Sequence, residues 1–182
     1  WDGWYEGSTR VSTSLTFAPT SITSAHTYEA RANRTINSYT ASFSGNGGNT
    51  PSPSTITKTY GSALGTLPSC TRNSDNTYTY SLAGWFTAAS GGSQISTSTT
   101  ITGNVTYYAH WNATYINYTI TFNGNGGTNG ASLTKHYGDA LGTLPSSSRT
   151  GYTFLGWFTA ASGGTKISTS TICYGSVTYY AH

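Results

Sequence analysis

Apolar and polar residues alternate strictly along Tyr118-Thr119-Ile120-Thr121-Phe122, which places Tyr118, Ile120 and Phe122 on one face of an extended strand. Asn123-Gly124-Asn125-Gly126-Gly127 follows, a run that tolerates positive φ and reads as the turn of a hairpin. A second strand runs from Leu133 to Tyr137, and a third covers Tyr152 to Phe158. A short Ile167-Ser168-Thr169 piece comes next, and Val177 to His182 forms the last strand. Between the second and third strands, Leu141 and Leu144 fit either one helical turn or a looped crossover plugging an open core. Pro145 disfavours helical geometry in the residue before it.

The pattern is repeated. Gly156 to Gly164 reads Gly-Trp-Phe-Thr-Ala-Ala-Ser-Gly-Gly, the same letters stand at Gly84 to Gly92, and Gly3-Trp4-Tyr5 is a worn copy. Phe43 corresponds to Phe122, Tyr60 to Tyr137 and Trp85 to Trp157. The sequence therefore divides into residues 1–38, the C-terminal half of a repeat plus linker; 39–117, a complete repeat with a linker and a polar insertion within Cys70 to Asn76; and 118–182, a second complete repeat. A tryptophan is the largest apolar side chain such a unit can bury, so Trp4, Trp85 and Trp157, with Phe43 and Phe122, are the expected core anchors. The expected fold is mainly β, in tandem small units, two complete and one partial. Units of this size are marginal alone, so neighbouring repeats are expected to support one another. Residues 1–38 leave strand edges uncovered. Either continuing chain completes them, or another copy does so head to tail through strand addition.

Composition narrows the setting. Charged residues make up 7% of the 182, with a net charge of +3. That is too sparse to steer nucleic acid or an anionic surface, and no apolar run approaches the length of a membrane span. Ser, Thr, Asn and Gly do the solvating, while 14% aromatic residues argue against disorder. Such an uncharged, tyrosine-rich chain suits an extracellular stalk, sheath or fibre, as a section of a longer secreted precursor.

The densest chemical signal is Asn-x-Ser/Thr, at Asn33, Asn104, Asn112 and Asn117, each a candidate for a covalent N-linked glycan. Asn33 and Asn112 are equivalent positions in the linkers after a last strand, and Asn104 sits in a turn. The Ser/Thr run Ser96 to Thr100 is either an O-glycosylation tract or a set of strand-edge residues. Cys70 and Cys173 occupy non-equivalent places, matching Ser147 and Ile101. They are either two unrelated small thiols or one disulfide, within the chain or between molecules. His26, His110, His136 and His182 have no ligand spacing with thiols or carboxylates, so no metal site is expected. The repeat 39–117 holds a single acid, Asp75, which excludes a repeated paired-carboxylate site. No Gly-x-Ser-x-Gly elbow marks a nucleophile, and Asn-Gly-Asn-Gly-Gly lacks the helix and lysine of a phosphate cradle. No catalytic residue and no cofactor is expected.

Phe122 to Gly127, Tyr137-Gly138 with Leu144-Pro145, Arg149 to Phe158, and closing Tyr180-Ala181-His182 together resemble the Listeria–Bacteroides repeat, the family that includes the B-repeat of internalin-type surface proteins. The resemblance covers both complete copies and the trailing half-copy. It implies a β-grasp-like fold strung in tandem on secreted, cell-surface proteins, as spacer or adhesion modules without catalytic residues. The chain departs from that family in its scarcity of acids and its crowded glycosylation signals. The expected role is a structural extracellular repeat glycoprotein of a stalk, sheath or filament. The alternative is an adhesin module that stacks exposed aromatics, first Tyr108 and Tyr180, on carbohydrate or a host protein.

Overall fold

The computed structural model describes residues 1–182, and every regular element in it is a strand. Residues 1–38 hold β1 (Gly3–Glu6), β2 (Thr9–Ser12) and β3 (Glu29–Arg31), a three-stranded sheet in the order β2-β1-β3. The next unit holds β4 (Ser38–Ser44), β5 (Thr55–Thr59), β6 (Tyr78–Phe86) and β7 (Val105–Tyr115), ordered β5-β4-β7-β6. The last unit holds β8 (Tyr118–Asn123), β9 (Gly130–Lys135), β10 (Trp157–Phe158) and β11 (Val177–Ala181), ordered β10-β11-β8-β9. Each complete unit is thus one mixed sheet with the same topology. An antiparallel hairpin joins its first two strands, and its first and last strands pair in parallel.

Parallel neighbours require a crossover, and here the crossover is helix-free. The stretch around Leu141 left two readings open, and the loop is the one observed. Ala140 bridges Ile172, Leu141 N–H donates to the Thr171 carbonyl at 2.8 Å, and Leu141 itself is buried. Leu64 does the same in the preceding unit, its N–H donating to Thr99 at 2.8 Å. A backbone that crosses the open face must find partners or leave polar groups unpaired, and these loop-to-loop bonds supply them.

Each unit closes around its own core of eight buried residues. Ala41, Phe43, Leu64, Trp85, Ile95, Ile101, Tyr107 and Ala109 form the first; Ile120, Phe122, Leu141, Trp157, Ile167, Cys173, Tyr179 and Ala181 the second. Trp85 and Trp157 are 2% and 1% exposed, each meeting its phenylalanine edge to face with centroids 4.9 Å apart. Buried indole nitrogens need an acceptor, and the crossover provides one. Trp85 Nε1 donates to the Pro68 carbonyl at 3.0 Å and Trp157 Nε1 to the Pro145 carbonyl at 2.7 Å.

Residues 1–38 keep the pairing of the repeat without its core. Gly3, Trp4 and Tyr5 face Arg31, Ala30 and Glu29 in the register in which Gly84, Trp85 and Phe86 face His110, Ala109 and Tyr108. Trp4 differs from the other two tryptophans. It is half-buried, meets Trp1 edge to face and Phe17 at a tilt, and its buried Nε1 has no partner.

The third strand departs from expectation in the last unit. Of the predicted Tyr152–Phe158 strand, Trp157 and Phe158 form the ladder and Leu155 and Gly156 exchange bonds with His182, whereas the counterpart β6 pairs from Tyr78 onward. In the earlier unit the added length rests on Trp111 to Tyr115, which continue β7 as partners of Tyr78 to Leu82. Alternation fits an edge to pair, but the partner strand decides how far pairing runs.

Candidate interaction surfaces

Two stacked ring pairs recur on the sheet face opposite each core. Phe86 and His110 lie 3.9 Å apart at 8°, and Phe158 and His182 lie 4.1 Å apart at 12°. The histidine Nε2 atoms meet the carbonyls of Ala88 and Ala160, at 2.9 and 3.0 Å. Tyr108 and Tyr180, offered above as exposed aromatics, lie on this face half-buried, beside Phe86 and Phe158 across the strand pair. Their partners Tyr107 and Tyr179 point into the cores, where burial pushes both phenols up. The stacked histidines are thus tied to the Ala-Ala loops. The equivalence of His110 and His182 was readable, but their stacking partners were not.

One residue that carries much of the unit went unforeseen. Asn125, read only as a turn former, sits at φ 49° and donates through Nδ2 to the carbonyls of Ala161 (2.8 Å) and Ala181 (3.1 Å). Asn46 at φ 46° does the same to Ala89 and Ala109, both at 2.9 Å. One amide pins the hairpin turn, the Ala-Ala loop and the last strand together. The available signal was the recurrence of Asn, rather than Gly, at the same place in both turns. The Ser/Thr runs also form a repeated device. Ser96 and Ser168 N–H groups donate to the Thr99 and Thr171 hydroxyls at 2.9 Å, closing tight turns.

The insertion near Asn73 is held by its only acid. Asp75 Oδ1 accepts from the N–H groups of Thr77 (2.8 Å) and Tyr78 (2.7 Å), and Oδ2 accepts from Tyr80 hydroxyl at 2.7 Å. The Tyr80 bond first, then the two backbone bonds, hold this carboxyl below the usual carboxylate range. A depressed folded-state value means that the contribution is present above the unfolded-state pKa of ~3.9 and is lost as pH falls through the lowered one. Tyr80→Phe is therefore expected to raise the Asp75 pKa toward its ordinary value in a carboxyl NMR titration. An unmoved titration would show that the Tyr80 bond is not formed in solution.

This loop also meets the next unit. Tyr118 hydroxyl donates to the Asn76 carbonyl at 2.9 Å, and the Tyr115 and His136 rings stack with centroids 4.4 Å apart. Only Ile116 and Asn117 separate β7 from β8.

All four sequon asparagines are exposed. Asn112 lies within β7 opposite Ser81, not in a linker, because the strand runs on to Tyr115. Asn104 uses its Oδ1 to accept from Thr40 N–H at 2.9 Å, the part that Ser176 plays for Thr119 in the last unit. Of the readings left open for Cys70 and Cys173, the single chain holds them as two separate free thiols, not joined to one another. Cys173 fills the core site that Ile101 fills in the preceding unit, 2% exposed, and Cys70 packs at the edge of the other core with Sγ 3.1 Å from the Asn49 carbonyl. Each thiol serves as a small hydrophobe of its own unit. A bridge between molecules would require Cys173 to leave its core.

A concavity lies on the last unit, beside the stretch before Trp157. It measures about 220 Å³, with walls that include Gly124, Arg149, Tyr152, Phe154, Leu155 and His182. Arg149 stacks on the Tyr152 ring at 4.2 Å, as Arg72 stacks on Tyr80 at 3.9 Å. The apolar groups here are uncovered: Tyr152 is 68% exposed, Leu155 61% and Phe154 37%.

The family model of the Listeria-Bacteroides repeat domain matches residues 39–110 and 118–182. Internalin H of Listeria monocytogenes is 33% identical over 106 residues, a stretch that spans 56% of this chain and 19% of that protein. No solved structure matches significantly.

Proposed function

This chain belongs to the Listeria-Bacteroides repeat family, and from that premise we propose that it is a non-enzymatic spacer section of an extracellular, cell-surface glycoprotein, forming a stalk, sheath or filament. One observation carries the reading. Units of identical topology follow one another across two connecting residues, each with its own core, and the Tyr115–His136 stack and the Tyr118–Asn76 bond brace the junction. Repeats that contact only their neighbours add length without needing a shared core. Glycans at Asn33, Asn104, Asn112 and Asn117 would supply solvation that the few charged groups do not.

The experiment is small-angle scattering on the chain, with intact-glycopeptide mass spectrometry on the native material. The expected result is a scattering profile of a fixed arrangement of the two complete units that loosens in Tyr118→Phe/His136→Ala, together with sugar on at least one of the four asparagines. A wild-type profile already that of freely jointed units would overturn the spacer reading, and four unmodified asparagines would remove the glycoprotein part of it. A second reading, an adhesin module that binds carbohydrate or a host protein through aromatics, is supported by the exposure of Tyr60, Tyr152 and Tyr174.

A further inference from the structure

Asparagine followed by glycine is a chemically reactive pair. Glycine has no side chain to shield its backbone nitrogen, so that nitrogen can reach the carboxamide carbon of the residue before it. Asn46-Gly47 is the one such pair in residues 39–117, and Asn125-Gly126 stands at the same place in the next unit. The N–H groups of Gly47 and Gly126 donate to no backbone carbonyl, so the ladder does not restrain either nucleophile. The fold restrains the carboxamide instead. Both hydrogens of Asn46 Nδ2 are committed, to the carbonyls of Ala89 and Ala109 at 2.9 Å. Those of Asn125 Nδ2 go to Ala161 at 2.8 Å and Ala181 at 3.1 Å. Ala109 is fully buried, which anchors this end of the side chain inside the unit. Attack on Cγ requires the carboxamide to turn onto the following nitrogen and to release Nδ2. Neither movement is open while the two bonds hold.

We propose that Asn46 and Asn125 are masked modification sites: each keeps its amide while its unit is closed and is converted to an acid when the unit opens. In the open chain the Gly47 nitrogen loses its proton to solvent base and bonds to Asn46 Cγ. The Cγ–Nδ2 bond breaks, and Nδ2 takes up a proton and leaves as ammonia, giving a five-membered succinimide. Water then adds to either ring carbonyl, and the ring opens to aspartate or to isoaspartate. Neither product rebuilds the pin. A carboxylate has no hydrogen to donate, and it would set its oxygens against the carbonyls of Ala89 and Ala109. Isoaspartate also lengthens the turn by one backbone atom. A unit that stays open long enough to react is therefore unable to close again as it was. Because each unit has its own core and its own pin, the loss is confined to that unit.

The test holds the full chain in mildly alkaline buffer, with and without enough urea to unfold it. Liquid chromatography with mass spectrometry follows the peptide that contains Asn46-Gly47 and separates the amide from its two acid products. Conversion is expected to be roughly tenfold or more slower in the folded chain, since it must wait for the unit to open. Chain left in urea until much of Asn46 has reacted is then returned to native buffer and given a brief pulse of protease, which cuts open units in preference to closed ones. The material of residues 39–117 that survives is expected to carry Asn46 almost exclusively, with the acids in the digested fraction. Equal conversion with and without urea, or acids surviving the pulse in their original proportion, would each overturn the proposal.

Discussion

Replacing Trp157 by alanine is expected to destabilise the last unit by about 3–5 kcal/mol, the range for removing a large aromatic side chain from a core. The site has little capacity to collapse. Trp157 is 1% exposed, meets Phe122 and Phe154 edge to face, and is the ring on which the Pro145 carbonyl depends. Truncation both opens a cavity and strips an acceptor of its donor. Because Trp85 anchors a separate core, residues 39–117 should keep their own unfolding midpoint. Urea titration with amide resonances assigned to each unit reads the two transitions separately. An unchanged midpoint for residues 118–182 would show that the indole is not the anchor of that core.

Asn125→Ala is expected to cost about 2–5 kcal/mol, a large effect for a half-exposed polar residue. Two hydrogen bonds at ~0.5–1.5 kcal/mol each are lost, and alanine at positive φ adds ~1–2 kcal/mol. Asn125→Gly separates the two contributions. Glycine accepts φ 49° without strain, so only the bonds to Ala161 and Ala181 are lost and the cost should fall by about half. Equal losses in the two variants, measured by chemical denaturation, would show that backbone strain plays no part.

Alternation and recurrence made much of this architecture legible. Ile120 and Phe122 fell on one face by spacing alone, and both are fully buried. The repeated Gly-Trp-aromatic segment located the two core tryptophans without knowledge of the topology. Features that depend on contacts distant in sequence were hidden. The length of β6 rests on a strand about thirty residues downstream (Tyr78 with Tyr115, Leu82 with Trp111), and no local pattern in Tyr152 to Phe154 distinguishes a paired edge from a bare one. The role of Asn46 and Asn125 was hidden for the same reason, since their partners lie up to 63 residues away. The cysteines left two readings open. An even count invites a bridge, yet Cys173 stands where the neighbouring repeat has isoleucine, and its environment is that of an aliphatic side chain.

The parallel pairing of first and last strands has a mechanical meaning. In each complete unit the chain enters along β4 or β8 and leaves along β7 or β11, and these two strands lie side by side pointing the same way. Tension applied to the chain on either side of a unit draws them past one another along their length. Their ladder is then loaded in shear, with its bonds sharing the force and yielding together, whereas the outer hairpin lies off the line of pull. Units strung in series transmit the same load from one to the next, each through its own clamp.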